Sequence, residues 1–404
     1  MKKKILIITT GGTLACIQDE KGLVPGLSGQ DILAYISDIT SLYQVDFLEL
    51  FQLDSANIQP ENWQELAETI YAKHRDYDGI VIFHGTDTMA YTSSVLSFML
   101  PNIPIPVVLT GSQLSILNPL ADAVENCRCA IHMAASSIPG IFLAFNRKVI
   151  LGARASKIRT TSFHAFESIN YPYIGEINSR GLDLQSSYIP PLTGPCKLKK
   201  NLEKKVFLIK LVPGFNGEIF RFLFEQGYRG LIIEAFGLGG IPSLSPKVLE
   251  DLAEVIRKGM AVVVKSQCPY EGSDLSVYET GHAALEAGVF QAYDMSTEAV
   301  VTKTMWLLGN YSQREESAVP QIKQDSEQNT SYFRKGKAGN KRTGTLLRPD
   351  AGQGKDRYCG SGTEREIQRK SFILQCGCTE YTWSGNAEQY TPIGKCQSGN
   401  TGML

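Results

Sequence analysis

The sequence predicts an α/β protein with a larger N-terminal parallel-sheet domain, a smaller C-terminal α/β domain and a disordered tail. Three observations predict it. Short apolar runs alternate with helix-length segments from Lys4 to Leu151, the first four runs each end in a turn rich in hydroxyls or carboxylates, and a second pattern of the same kind begins at Val206. At 404 residues the chain exceeds the usual size of one hydrophobic core, and a composition of 43% apolar and 20% charged residues can fill two.

Lys4 to Thr9 reads as the first strand, feeding the glycine turn Thr10-Gly11-Gly12-Thr13. Leu14 to Leu27 is polar and broken by Gly22, Pro25 and Gly26, which predicts a mobile loop. Ser28 resembles an N-cap for a helix near Ile32 to Ile36. Val45 to Phe51 is a second strand ending in Leu53-Asp54-Ser55-Ala56-Asn57, and Pro60 opens a helix where a missing N–H costs nothing. Gly79 to Phe83 and Pro106 to Leu109 are further strands, the first followed by a helix carrying Met89, Val95, Leu96 and Met99 and the second by a helix from about Pro119 to Ala135. Ile141 to Phe145 and Val149 to Leu151 close the first alternation.

A long non-periodic section with Pro190-Pro191 and a basic cluster from Lys197 to Lys205 predicts the interdomain connection. The second domain has strands at Val206 to Ile209, Gly230 to Glu234 and Ala261 to Val264, with helices near Pro246 to Ile256 and Thr297 to Leu308. The predicted division is therefore 1–190, a connector 191–205, 206–310, and a tail 311–404 in which apolar residues lose all regular spacing.

A formal charge of −1 gives no electrostatic reason to expect nucleic acid or an anionic membrane as partner, and the tail's excess of basic residues is too weak to act as a nucleic-acid arm. The apolar run after Met1 to Lys4 stops at Thr9, too short for a secretory leader, and no later run is long enough to span a bilayer. Nine cysteines form no Cys-x-x-Cys pair, and Cys127 and Cys129 diverge on a helix. Reduced, buried thiols in a cytoplasmic protein are the expectation, and metal binding at Cys127 and Cys129 is not expected.

The stretch Gly79 to Ser94 organises the chemistry. A buried strand runs into His84-Gly85-Thr86-Asp87-Thr88, at the strand edge where open α/β sheets bind ligands. A helix cap accounts for one of these polar residues, but not for hydroxyl, carboxylate and hydroxyl in a row. Asp87 suits an ammonium group, and a Thr beside a lysine suits proton transfer, because a nearby cation eases loss of its proton. The plainer readings are a satisfied core histidine for His84, an ordinary turn for Gly11-Gly12-Thr13 and a solvated surface side chain for Lys157. His84 is expected to be architectural.

Together, Thr10-Gly11-Gly12-Thr13, His84-Gly85-Thr86-Asp87-Thr88-Met89-Ala90-Tyr91-Thr92 and Ala155-Ser156-Lys157 resemble the bacterial type I (cytoplasmic) L-asparaginases. The likeness runs from about Lys2 to Asn310 and includes Thr110-Gly111-Ser112-Gln113 and Phe166 to Pro172. The resemblance implies hydrolysis of the L-asparagine side-chain amide without metal or cofactor, in a homodimer or homotetramer whose neighbouring subunit helps close each site. It implies Thr13 as nucleophile, with Thr86, Asp87 and Lys157 as the second catalytic group. Asp87 would also hold the substrate α-ammonium, Ser55, within Asp54-Ser55, the α-carboxylate, and Gly12 and Thr86 N–H groups the oxyanion. Some relatives have a regulatory asparagine site near the position of Ser156.

The sequence departs from the pattern in two places. The stretch Cys16 to Gly26 lacks the tyrosine that often activates the first threonine, and the tail resembles nothing in the family, as an aberrant, frame-shifted extension would. The alternatives are a glutaminase-asparaginase, the asparaginase-like component of an archaeal amidotransferase, or a non-catalytic amino-acid-binding module. The amidotransferase component is the less expected, since the chain starts only a few residues ahead of Ile5.

Overall fold

The structure is a computed structural model that describes residues 2–19, 22–27, 29–242 and 246–311. The N-cap expected at Ser28 and all of the expected tail beyond Tyr311 lie outside the described residues.

Strand β1 (Lys4–Gly11) is covered on both sides. Ile5 and Ile7 face a core shared with Ile32, Val81 and Phe83, whereas Leu6 and Ile8 face one shared with Trp63, Ile80 and Met89. Alternating side chains on a strand with two buried faces explain why the run is apolar throughout. A 3-10 turn (Thr13–Ala15) leads into β2 (Cys16–Asp19) and β3 (Gly22–Pro25), which pair antiparallel. This hairpin replaces the expected loop. Gly22 and Pro25 sit at the ends of its second strand and not inside it, and the β-branched residues Ile17 and Val24 are register partners.

Next come α1 (Gly29–Tyr35), α2 (Ser37–Thr40), β4 (Gln44–Leu53) and α3 (Pro60–Lys73), which buries Trp63, Leu66 and Ile70 on one face. Strand β5 (Gly79–Phe83) is wholly buried, and α4 (Met89–Met99) follows its turn. Strand β6 (Pro106–Thr110), α5 (Ala123–Ala134), β7 (Gly140–Phe145) and β8 (Lys148–Leu151) complete the alternation. Helix α5 begins four residues later than its sequence predicts. The Asp122 carboxylate accepts from the N–H groups of Gln113 and Leu114, which holds the preceding segment in turns. Four short strands then occupy part of the non-periodic section: β9 (Ala155–Lys157), β10 (Phe166–Ser168), β11 (Gly175–Asn178) and β12 (Gly181–Leu184).

The large sheet has eight strands in the order β12-β11-β8-β7-β6-β5-β1-β4. The five strands from β7 to β4 are parallel, and β8, β11 and β12 continue the sheet antiparallel. The chain passes from β1 to β4 on one side and then to β5 on the other. The order therefore reverses between β1 and β5, and in open α/β sheets the crevice beyond the carboxyl ends at such a reversal is where ligands bind.

The second sheet is parallel, in the order β13 (Val206–Lys210), β14 (Gly230–Ala235), β15 (Ala261–Ser266) and β16 (Phe290–Gln291). Around it lie α6 (Glu218–Glu225), α7 (Pro246–Arg257), α8 (Glu279–Glu286) and α9 (Thr297–Asn310). Helix α9 packs on α4, so the two sheets share a core that includes Ile232, Val263 and Trp306. Trp306 is 2% exposed, lies 6.0 Å from the Phe98 ring and donates from Nε1 to Lys199 O in the segment joining the two sheets.

Cys127 and Cys129 are buried, which pushes both thiols up, and Cys268 is exposed, contrary to the expectation that all thiols are buried. Among the described residues no helix is long and apolar enough to cross a membrane, and no cluster of three or more His, Cys, Asp or Glu side chains could hold a metal.

Candidate active site

The site begins where β1 ends. Gly11 (φ +99°) and Gly12 (φ +90°) turn the chain through conformations that L side chains rarely adopt. Each also needs to lack a side chain: a Cβ on Gly11 would fall 2.3 Å from Leu53 O, and one on Gly12 would fall 2.4 Å from both Cα and N of Gly85. The turn after β1 thus rests directly on the turn after β5. Thr10 reinforces the junction by donating to Phe83 O at 3.0 Å. Thr13 follows, half-buried, at the head of its 3-10 turn.

Beneath the turn after β5 lies His84, 1% exposed. Its Nδ1 lies 2.7 Å from Gly85 O, and a carbonyl only accepts, so Nδ1 carries the proton. Nε2 then accepts from Thr92 Oγ1 at 2.9 Å, and Thr92 accepts from Trp63 Nε1 at 2.9 Å. Burial drives the His84 pKa down to about 4, against a smaller upward pull from Gly85 O, so the ring is neutral. A neutral ring with both nitrogens engaged is a brace for the turn.

Above it, Lys157 at the end of β9 reaches over the turn. Its Nζ lies 2.8 Å from Thr86 Oγ1 and 2.6 Å from Asp87 Oδ1. The Lys157 side chain is 16% exposed and that of Asp87 62%, so the ion pair is wet on one side. Such a pair contributes little stability, and its consequence is geometric. It holds an ammonium against a hydroxyl beside a carboxylate that still faces solvent. A cation there favours the deprotonated form of a hydroxyl, and the open carboxylate can take a second cation.

Ser55, 3% exposed, closes the floor. Its Oγ accepts from Asp87 N–H at 3.2 Å and its carbonyl accepts from Thr88 Oγ1 at 2.8 Å. Asp54 is exposed and caps the next 3-10 turn, accepting from Ala56 N–H at 3.0 Å. Of the residues singled out in the sequence, Ser55, Thr86, Asp87 and Lys157 are joined by hydrogen bonds, Gly12 by backbone contact, and Thr13 directly follows that contact. Asp54 is a chain neighbour of the group and not a bonded member of it. The Gly12 N–H, expected from the sequence as an oxyanion donor, donates to Leu53 O at 3.1 Å.

Sequence reasoning missed two groups. Gln113 Oε1 lies 3.4 Å from Thr86 Oγ1, and its only signal was the polar turn after β6. On the other side of β9, Ser156 Oγ lies 2.7 Å from Glu298 Oε1 on α9. Glu298 is 8% exposed, its second oxygen has no partner among the described residues, and burial raises its pKa. Nothing local marks Glu298, which stands in the first turn of a helix, where an acidic residue is ordinary.

The same two-part architecture is found in known proteins. The family described as "Asparaginase, N-terminal" matches residues 4–189, and "Glutaminase/Asparaginase C-terminal domain" matches residues 205–318. An L-asparaginase of Thermococcus kodakarensis is 42% identical over 316 residues, covering 78% of this chain and 95% of the relative. The D component of the glutamyl-tRNA(Gln) amidotransferase of Pyrococcus furiosus is 37% identical over 318 residues, covering 76% of this chain and 72% of the relative. Among solved structures, the thermostable L-asparaginase from Thermococcus kodakarensis superposes with a TM-score of 0.72 at 41% identity, covering 78% of this chain and 95% of that one.

Proposed function

The chain belongs to the asparaginase family, with sequence matching both of its domains, and on that premise we propose that it hydrolyses the side-chain amide of L-asparagine to L-aspartate and ammonia. The observation that carries this reading is the cluster of Lys157, Thr86 and Asp87, built on the turn whose backbone packs against Gly12, next to Thr13.

In the proposed reaction the Thr13 hydroxyl attacks the amide carbon as its proton passes to the Thr86–Lys157 pair, forming a C–O bond, and the C–N bond breaks as the amide nitrogen takes that proton and leaves as ammonia. An aspartyl ester on Thr13 remains. Water then attacks the ester, losing its proton toward Thr86, the C–O bond to Thr13 breaks, the Thr13 oxygen takes the proton back and aspartate departs. Lys157 stabilises the Thr86 oxygen through both steps, Asp87 holds the substrate α-ammonium and Ser55 its α-carboxylate. The Thr86 N–H faces the developing oxyanion. The hairpin β2–β3 contains no tyrosine, so the Thr86–Lys157 pair serves as base for both half-reactions. No metal or cofactor takes part. The enzyme is of the bacterial type I kind, cytoplasmic, and works as a homodimer or homotetramer, with residues 1–190 and 206–310 as its two domains.

The likeness to the amidotransferase component favours a second reading, in which the same amide chemistry supplies ammonia to a partner reaction. Ammonia release from L-asparagine, L-glutamine and neither substrate separates these readings. The proposal expects asparagine to exceed glutamine by about tenfold or more, since one methylene in a fitted pocket is worth roughly that much. Binding of asparagine without release would instead mark a non-catalytic module.

A further inference from the structure

Gln113 is held at every polar atom of its side chain. The Nε2 group donates to Thr160 O at 3.0 Å and to Ser162 O at 3.1 Å. Both are carbonyls and can only accept, so the amide cannot be flipped, and Oε1 is turned toward Thr86 Oγ1 at 3.4 Å. The backbone is fixed as well, with Gln113 N–H donating to Asp122 Oδ1 at 3.0 Å. An oriented acceptor therefore stands beside the hydroxyl that Lys157 also touches.

Thr86 has a single hydroxyl hydrogen and two neighbours that could receive it. While Lys157 is an ammonium, its Nζ donates to Thr86 Oγ1, and the Thr86 hydrogen must point elsewhere. Gln113 Oε1 is the side-chain acceptor in reach. When Lys157 is neutral, its nitrogen lone pair lies 2.8 Å from the same hydroxyl and is the closer acceptor. We propose that Gln113 is a positioning residue that holds the Thr86 hydrogen in the resting state and yields it when Lys157 becomes neutral. The contact of 3.4 Å is at the long end for a hydrogen bond, as suits one that is exchanged each cycle.

The inference rests on the reading of Thr86 and Lys157 as the base. In the reacting state Thr86 takes a proton from the attacking hydroxyl and passes its own to Lys157 Nζ, so one proton enters and one leaves the Thr86 oxygen. Gln113 receives no proton at any stage. Its effect is on the balance between the two states of Lys157: an acceptor for the Thr86 hydrogen stabilises the ammonium form.

The charged groups around Lys157 are separate from Gln113. Asp87 pairs with Lys157 directly, Glu298 meets Ser156 on the opposite face of β9, and Glu167 on β10 pairs with Arg159. Lys265 and Glu234 pair with each other on the second sheet. A substitution at Gln113 changes none of these contacts, and Asp122 meets its backbone and not its side chain.

The test is the pH dependence of kcat/KM for ammonia release from asparagine in the full-length wild type, Gln113→Met and Gln113→Glu. Methionine removes the acceptor and disfavours the ammonium, so the acid limb is expected to move to lower pH. Glutamate offers a charged acceptor and favours the ammonium, so the limb is expected to move to higher pH. Each shift should be about 0.5 to 1 pH unit, the equivalent of one modest hydrogen bond. Melting curves identify a variant that fails to fold, in which case the other variant's shift decides. Rates lowered at every pH with unmoved midpoints would show that Gln113 merely braces the 160–162 segment and would overturn the inference alone. A wild type that releases no ammonia from asparagine would overturn this inference together with the reading beneath it.

Discussion

Gly12 and Gly85 lie backbone against backbone, and a single methyl group on Gly12 would sit 2.4 Å from the Gly85 Cα. This contact joins the turn that carries Thr13 to the turn that carries Thr86. Gly12→Ala is therefore expected to separate the two threonines and to destabilise the fold by about 3 kcal/mol or more, because the added carbon meets backbone at a positive φ. Gly85→Ala meets the Ser55 side chain instead, with Oγ at 2.6 Å and Cβ at 2.7 Å, but without the strain of a positive φ. It should fold better than Gly12→Ala while losing substrate affinity. Denaturant unfolding and KM for asparagine would show the order, and equal stability of the two variants would contradict it.

Lys157 contacts one hydroxyl and one carboxylate, and its partner Asp87 is 62% exposed. Removing a wet ion pair changes stability little. Removing the group that assists a general base costs about 10²- to 10⁴-fold in rate. Lys157→Met should therefore lower kcat within that range with a melting temperature close to wild type. A variant that kept its activity but melted much earlier would make Lys157 a structural residue.

His84 is buried as the neutral ring, with its pKa pushed down from 6.5 to about 4 by loss of hydration. The unfolded chain binds a proton more readily than the native one in that window, so stability is full above about 6.5 and falls as pH drops toward about 4. The loss amounts to about 3 kcal/mol. Urea unfolding across the window should show a shallower decline for His84→Gln than for wild type. Parallel declines would place the acid sensitivity in other groups.

Glu298 shows the opposite sign. Burial raises the pKa of its carboxyl above 4.5, more strongly than the Ser156 hydroxyl lowers it, and one oxygen has no partner among the described residues. Stability from the protonated form is complete below the unfolded value and is lost as pH rises through the folded one. Glu298→Gln keeps an acceptor for Ser156 and removes the ionisation, so it should gain about 1 kcal/mol or more at neutral pH and nothing in acid. Loss of stability at neutral pH would mean that the charged form is the one the fold requires.

Much of this was legible in the sequence because the signals were local. The unbroken apolar runs of β1 and β5 reflect burial on both faces of the sheet, and a strand end crowded with hydroxyls and a carboxylate marks the site edge. The hairpin β2–β3 was hidden by Gly22 and Pro25, which read as loop residues wherever they fall. Strands β9 to β12 are three or four residues long, too short for any period to register. The site's long-range pairs carry no local mark at all: Lys157 meets Thr86 across 71 residues, and Ser156 meets Glu298 across 142. Lys157 was reached only through a family likeness, while Gln113 and Glu298 needed the fold itself. The Gly12 N–H, which the sequence marks as an oxyanion donor, meets Leu53 O in the fold, a pairing equally without a local mark.

The central claim is that Thr13 is the nucleophile in an asparagine hydrolysis that needs both threonine turns. The most direct test is kcat/KM for ammonia release from L-asparagine by Thr13→Ala, at matched folding. The account predicts a fall of about 10³-fold or more, as expected when a covalent intermediate can no longer form. Turnover within about tenfold of wild type would contradict it, since one hydrogen bond to a bound substrate accounts for a loss of that size.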